Sequence, residues 1–74
     1  MKYLIVIEKA GRNYSAYVPD LPGCVAAGKT AAAAQAAIRT AVAFHVEGLR
    51  EDGLPIPRAT AKSARVGVGR GRAA

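Results

Sequence analysis

The stretch that most constrains the fold is residues 14–24 (YSAYVPDLPGC), because it combines a strand pattern with a stiff turn. Over residues 14–18 alternate positions carry Tyr, Ala and Val, which is the period of a half-buried strand. Pro19 has no N–H to donate to a ladder, so the strand should end near it. Residues 20–23 (DLPG) then supply a side-chain acceptor, a fixed φ and a glycine that can adopt positive φ. We therefore predict a turn from which residues 24–27 return as a short third strand.

An apolar run near the N-terminus predicts the first strand. Residues 3–7 (YLIVI) are rich in β-branched side chains and apolar on both faces, which is typical of a central strand covered on both sides. The strand should span residues 2–9. Residues 10–13 (AGRN) have the composition of a hairpin turn, so the strand over residues 13–18 should run antiparallel to the first.

A long helix is predicted over residues 30–52. The hydroxyl of Thr30 can cap its first turn, and Gly53 is a natural residue just beyond its end. One face carries residues spaced i, i+4, i+7 and i+11. These residues are Ile38, Val42, His45 and Leu49.

The part of the chain after the helix is predicted to be extended. Residues 53–57 (GLPIP) form a stiff connector, and residues 59–68 can add a short fourth strand. We expect residues 69–74 to be a disordered basic tail. The predicted fold is therefore α+β, with a three-stranded antiparallel sheet, one long helix and a short fourth strand. Residues 1–58 form the domain, and residues 59–68 its last strand.

The chain is too short to bury a large core. It has 74 residues, no Trp and one Phe, and much of its apolar content is alanine. A domain of this size buries only about 60% of its unfolded surface. We therefore expect another subunit to cover part of the sheet or helix, in a homodimer or a tetramer. The expected core residues are Tyr3, Leu4, Ile5, Val6, Ile7, Val18, Ile38, Val42, Val46 and Leu49.

The charge is concentrated at the C-terminus. Residues 1–57 carry six Lys or Arg and five acids, a net charge of +1, whereas residues 58–74 carry five Lys or Arg and no acid. Such a tail can bind nucleic acid, with Arg65, Arg70 and Arg72 neutralising phosphates. A solvated, solubilising tail explains the same charge equally well.

Chemistry-bearing residues are few. His45 and Cys24 could form a base and nucleophile, but no spacing brings them together, and each is more often a packed residue. Residues 23–30 (GCVAAGKT) formally match the GxxxxGKT phosphate-binding loop. The four variable positions have a strand pattern, so we interpret the match as coincidence with a capped helix start. We expect no catalytic residue, no metal site and no cofactor.

The single cysteine excludes an internal disulfide and fits a reducing cytoplasm. The apolar run at the N-terminus is too short for a signal peptide or for a membrane span. We expect a soluble cytoplasmic protein.

Three motifs together resemble one family. Residues 14–24, residues 28–30 (GKT) and residues 45–57 (HVEGLREDGLPIP) resemble the HicB-like antitoxins, and the resemblance covers about residues 2–58. It implies a β-β-β-α-β unit, a partial ribonuclease-H-like fold without ribonuclease activity. Members of the family pair with HicA, a small RNA-cleaving toxin, and cover its active site. Full-length members also carry a C-terminal DNA-binding segment, so this chain looks like the short stand-alone form.

We therefore expect a non-enzymatic antitoxin, or an orphan relative, that acts by protein–protein contact. The alternative is a small nucleic-acid-binding protein that uses its basic tail, and an enzyme is the third class. The residues expected to contact a partner are Tyr14, Tyr17, Asp20, Leu21 and His45.

Overall fold

A computed structural model describes residues 2–67, and it contains a three-stranded antiparallel sheet with one helix packed against it. The strands are β1 (Val6–Ala10), β2 (Asn13–Tyr17) and β3 (Val25–Gly28), and the helix is α1 (Ala31–Glu51). The sheet order is β1-β2-β3. The predicted α+β fold is confirmed, and each of these four elements lies within a few residues of its expected position.

The apolar run at the N-terminus does not lie in the middle of the described sheet. β2 is the central strand, and β1 lies at an edge. The prediction of a central first strand was wrong. In the described chain β1 pairs only with β2, whereas β2 pairs with both β1 and β3. The ladder also begins only at Val6, which pairs with Tyr17, so residues 2–5 precede it.

Two consecutive turns connect β2 to β3. The N–H of Leu21 donates to the carbonyl of Val18 over 3.0 Å, and the N–H of Cys24 donates to the carbonyl of Leu21 over 3.0 Å. In the second turn Pro22 is followed by Gly23 at φ +82°, the combination of a type II turn. The positive φ anticipated for Gly23 is confirmed.

The core is small and lies where this double turn meets the first half of α1. Val18, Leu21 and Cys24 project inward from the turn region, and Ala34 and Ile38 meet them from the helix. With Ala16 they are the fully buried apolar residues of the described chain. Of the ten residues expected in the core, Val18 and Ile38 are fully buried. The other eight are half-buried: Tyr3, Leu4, Ile5, Val6, Ile7, Val42, Val46 and Leu49.

A glycine allows the helix to approach the sheet closely. A Cβ built on Gly28, at the end of β3, would lie 2.5 Å from the backbone nitrogen of Ala34. Real Cβ atoms do not come so close to backbone, so only glycine fits at this position. This close approach brings Ala34 and Ile38 against the sheet.

Both ends of α1 are capped as the sequence predicts. The Thr30 hydroxyl accepts a hydrogen bond from the N–H of Ala33 over 3.0 Å. At the other end, Gly53 N–H donates to Arg50 and Leu54 N–H donates to Leu49, the paired bonds of a Schellman motif. The helix therefore stops at the predicted place.

The segment after the helix crosses back to the sheet without forming a strand. The Tyr3 hydroxyl donates to the carbonyl of Pro57. Residues 59–67 carry no strand, so the predicted fourth strand is not shown over this range. Val68 and the tail predicted over residues 69–74 lie outside the described residues. Within residues 2–67, no helix is both long and apolar enough to cross a membrane.

Candidate protein-interaction site

The sheet has one face against α1 and one face away from it. Because side chains alternate along a strand, Ile7, Ala16 and Ala26 share the helix side, where all three belong to the core or pack against it. Their neighbours therefore point to the opposite, outer face.

An apolar row crosses this outer face. Val6, Tyr17 and Val25 are directly opposite one another on the three strands. We call these three residues the outer-face row. Tyr17 is 40% exposed and Val25 is 66% exposed, so the row presents apolar area to solvent. Cross-strand aromatic and β-branched pairs of this kind stabilise a sheet, and they also form a flat contact surface.

The next row on the same face is polar or small. Glu8, Ser15 and Ala27 are paired across the three strands, and each lies two residues along its strand from the outer-face row. The apolar surface is therefore limited to the part of the sheet near the double turn, and a carboxylate lies at its border. An apolar centre with a polar rim is the usual composition of a protein-binding patch.

Asp20 lies in the first turn and holds the C-terminal segment. Its carboxylate accepts bonds from the N–H of Thr60 over 2.9 Å, the hydroxyl of Thr60 over 2.8 Å and the N–H of Ala61 over 2.9 Å. These bonds, first that from Ala61 and then that from the Thr60 hydroxyl, lower the pKa of Asp20 below its ordinary value. We call this contact the Asp20 clasp.

The five residues expected to contact a partner do not form one surface. Leu21 has 0% exposure and belongs to the core, and Tyr14 is half-buried against the core. The oxygens of Asp20 are engaged in the clasp, and His45 is half-buried on α1. Tyr17 alone among them belongs to the outer-face row.

Cys24 does not have the environment of a nucleophile. Its side chain is buried, and burial raises the pKa of its thiol, whereas a reactive cysteine needs a lowered pKa. No hydrogen bond joins it to His45 in the described chain. Over residues 2–67, no three His, Cys, Asp or Glu side chains are close enough to hold a metal ion. The GxxxxGKT variable positions include most of β3, consistent with a coincidental match.

The basic residues considered for nucleic-acid binding are partly outside the described chain. Arg65 is exposed, as are Arg58 and Lys62. Arg70 and Arg72 lie outside the described residues.

Sequence reasoning did not include Val6 and Val25 in the candidate site. Their partnership with Tyr17 depends on the register of two separate strand pairs. The positions of the two turns, centred on residues 11–12 and on residue 21, set this register and are the signal that could have suggested it. Phe44, 84% exposed on α1, is a further exposed apolar residue that the helix pattern left outside the stripe.

Comparisons with known proteins identify relatives of this chain. Residues 3–66 match the family model described as HicB-like antitoxin of bacterial toxin–antitoxin systems. The UPF0150 protein Ta0767 of Thermoplasma acidophilum is 37% identical over 67 residues, covering 89% of this chain and 97% of the relative. No solved structure matches the chain significantly.

A second relative is longer than this chain. It is an uncharacterised 14.9 kDa protein from the rep-hol intergenic region of Haemophilus phage HP1, 43% identical over 58 residues. The match covers 78% of this chain but 44% of the phage protein, so the chain spans less than half of that relative's length. The family match covers most of the described residues, including the double turn and the helix. The chain belongs to the HicB-like antitoxin family.

Proposed function

We propose that this chain is a non-enzymatic antitoxin that neutralises a HicA-like, RNA-cleaving toxin by covering it through protein–protein contact. The observation that carries this proposal is the outer-face row, an exposed apolar surface on the sheet of a chain that belongs to an antitoxin family. The proposal includes action in the cytoplasm and assembly with further copies of the chain.

The chemistry of the row fits a protein partner better than a small molecule. Val6, Tyr17 and Val25 form a flat strip across three strands, without a concave site or convergent polar groups. Tyrosine is enriched at the centres of protein interfaces because it contributes a large rigid area at low entropic cost.

The absence of an enzymatic role is part of the same proposal. It is supported by the buried thiol of Cys24, because burial raises the pKa of this thiol whereas a nucleophilic cysteine needs a lowered pKa. In this role the antitoxin needs only a stable surface of the right shape, which a small sheet and helix can supply.

Charge placed at the β3 end of the row tests the proposal. Val25→Lys should weaken binding to a purified HicA-like toxin from the same genome by about tenfold or more, since it desolvates a charge at the interface. Val66→Lys is the matched control, because Val66 is 86% exposed but lies outside the sheet. The measurements are calorimetric titration of the toxin and its RNA cleavage at increasing antitoxin concentration.

Equal affinity of the two lysine variants and the wild type would contradict a contact at the outer-face row. Failure of the wild type to bind any HicA-like toxin of that genome would contradict the antitoxin function itself. Circular dichroism of Val25→Lys ensures that a loss of binding is not a loss of fold.

A second function is supported by the charge of residues 58–74, which is +5. The described cations Arg58, Lys62 and Arg65 are all exposed. If Arg65, Arg70 and Arg72 neutralise phosphates, binding to duplex DNA should weaken with salt with a log–log slope of about −2 to −3. Deleting residues 64–74 should then abolish nucleic-acid binding and leave toxin inhibition unchanged. Tail-dependent nucleic-acid binding without toxin affinity would favour this second function.

A further inference from the structure

β1 has an open edge. In the described chain, no strand lies beside β1 on the side away from β2. An open edge offers unpaired backbone N–H and C=O groups to another strand, and soluble proteins usually cover or blunt it. Here the edge strand overlaps residues 3–7, one of the most apolar stretches of the sequence.

The hairpin determines which backbone groups face the open side. Ala10 and Asn13 flank a two-residue loop and are opposite each other, and such a hairpin closes on a hydrogen-bonded pair. Alternation then directs the backbone groups of Val6 and Glu8 at β2 and those of Ile7 outward. A strand extended through residues 2–5 directs the groups of Tyr3 and Ile5 outward as well.

Apolar side chains and grooves accompany this edge. Tyr3, Ile5 and Ile7 pack against the core but remain half-buried. Two shallow grooves of about 430 and 320 Å³ share Tyr3 and Val42 as lining residues, and Ile5 also lines the smaller one. This region therefore combines free backbone groups with apolar surface that no described residue fills.

We propose that the β1 edge pairs with the same edge of a second copy of this chain, antiparallel, about a two-fold axis at Ile5. Charge complementarity favours this register, because it places the cation of one copy opposite the anion of the other at both ends. Every position between the charged pairs is apolar. The pairs are Lys2 with Glu8, Tyr3 with Ile7, Leu4 with Val6, and Ile5 with Ile5.

The neighbouring registers are worse on the same criterion. A one-residue shift would pair outward-facing backbone groups with inward-facing ones, so the available alternatives are shifts by two residues. A two-residue shift in one direction sets Lys2 against Val6, and a two-residue shift in the other direction sets Glu8 against Leu4. Like charges directly opposite one another destabilise a strand pair, whereas opposite charges stabilise it. The sequence of residues 2–8 (KYLIVIE) is thus self-complementary in a single alignment.

The pairing would join two three-stranded sheets into one of six strands, with both helices on the same side. It would cover the edge and bring the grooves beside Tyr3 toward the partner copy. This pairing rests on the proposed function in one respect, since it is the surface through which copies of the chain would assemble. It leaves the outer-face row free for a toxin. It therefore does not depend on toxin binding.

Exchange of the two charges tests the register. Lys2→Glu and Glu8→Lys should each weaken self-association by about tenfold, because each places like charges at both ends of the pairing. The double variant should recover wild-type association. An equimolar mixture of the two single variants should also recover it, since each copy then supplies the charge that the other lacks. Lys29→Glu and Glu51→Lys are matched controls elsewhere on the surface.

Sedimentation velocity over a range of concentrations measures these effects. Association of the single variants equal to the wild type, or no recovery in the double variant and the mixture, would overturn the proposed edge. That result would leave self-association through another surface intact. A wild type that remains a 7.6 kDa monomer at all concentrations would overturn both the edge and the self-association included above.

Amide hydrogen exchange provides an independent measurement. The amides of Tyr3, Ile5 and Ile7 should become protected as protein concentration rises, while that of Leu4, which points to the other side, should not. Protection that is independent of concentration and is lost on deletion of residues 68–74 would assign the edge to the chain's own tail. That outcome would overturn the second copy as the occupant.

Discussion

Two regions of this small domain differ in how completely they are packed. The closed region, made of Val18, Leu21 and Cys24 with Ala34 and Ile38, is fully buried. The open region is built from larger side chains, but all of them are only half-buried. It consists of Tyr3, Ile5, Val42, Val46 and Ile56.

The comparison shows that burial here follows position rather than hydrophobicity. The closed region is filled by small and medium side chains because the double turn folds inward and Gly28 lets the helix approach. In the open region Tyr3 and Ile5 lie beside the later turns of α1, where no further strand of the described chain fills the space. The first region can stabilise the monomer, and the second offers surface to a partner.

The largest expected effect contrasts two isoleucines. Ile38→Ala, in the closed region, should reduce the free energy of unfolding by about 2–5 kcal/mol, the usual cost of truncating a fully buried side chain. Ile5→Ala, in the open region, should cost less than half as much at low protein concentration, because Ile5 is already partly solvated. Urea denaturation of both variants provides the comparison. Equal costs would mean that the two regions are equally packed.

The next effect tests the close approach of helix and sheet. Gly28→Ala should destabilise by about 1–3 kcal/mol, since the new Cβ must displace the backbone near Ala34. Gly48→Ala is the matched control within α1, where a Cβ meets no atom within 4 Å. It should stabilise by about 0.5–1 kcal/mol because alanine has the higher helix propensity. Thermal unfolding of both variants measures the two changes in stability, which should have opposite signs. A Gly28→Ala variant as stable as the wild type would rule out the tight contact.

A smaller effect is expected at the turn that closes the core. Gly23→Val should destabilise by about 1–2 kcal/mol, because a β-branched residue is strained at φ +82°. A Cβ at Gly23 meets no atom within 4 Å, so the cost is conformational rather than steric crowding by neighbours. The same denaturation experiment measures it, and an unchanged midpoint would show that the turn can relax.

The smallest effect on global stability concerns the Asp20 clasp. Hydrogen bonds from Ala61 and Thr60 lower the pKa of Asp20, so the clasp stabilises the folded state above the unfolded pKa, near 3.8. This contribution is lost as the pH falls through the lower folded pKa. Asp20→Asn should weaken the clasp at neutral pH and speed amide exchange at Thr60 and Ala61. Asp52→Asn is the control, and equal exchange in both variants would contradict the clasp.

Much of the fold could be predicted from local patterns. Alternation, Pro19 and the DLPG turn indicated the β2–β3 connection, and Thr30 and Gly53 marked the ends of the helix. These features depend on backbone restrictions and caps that act within a few residues, so a single sequence contains them. The family resemblance used the same residues.

Only the tertiary structure decided which apolar residues are buried and which surface is available. Leu21 lies in the core, although the sequence placed it at a partner contact, because two consecutive turns direct its side chain inward. The outer-face row depends on the register of two strand pairs, and the Asp20 clasp joins residues 40 positions apart. Such long-range contacts depend on how separately predicted elements pack against one another. Periodicity and turn chemistry act within a few residues, so they do not determine this packing.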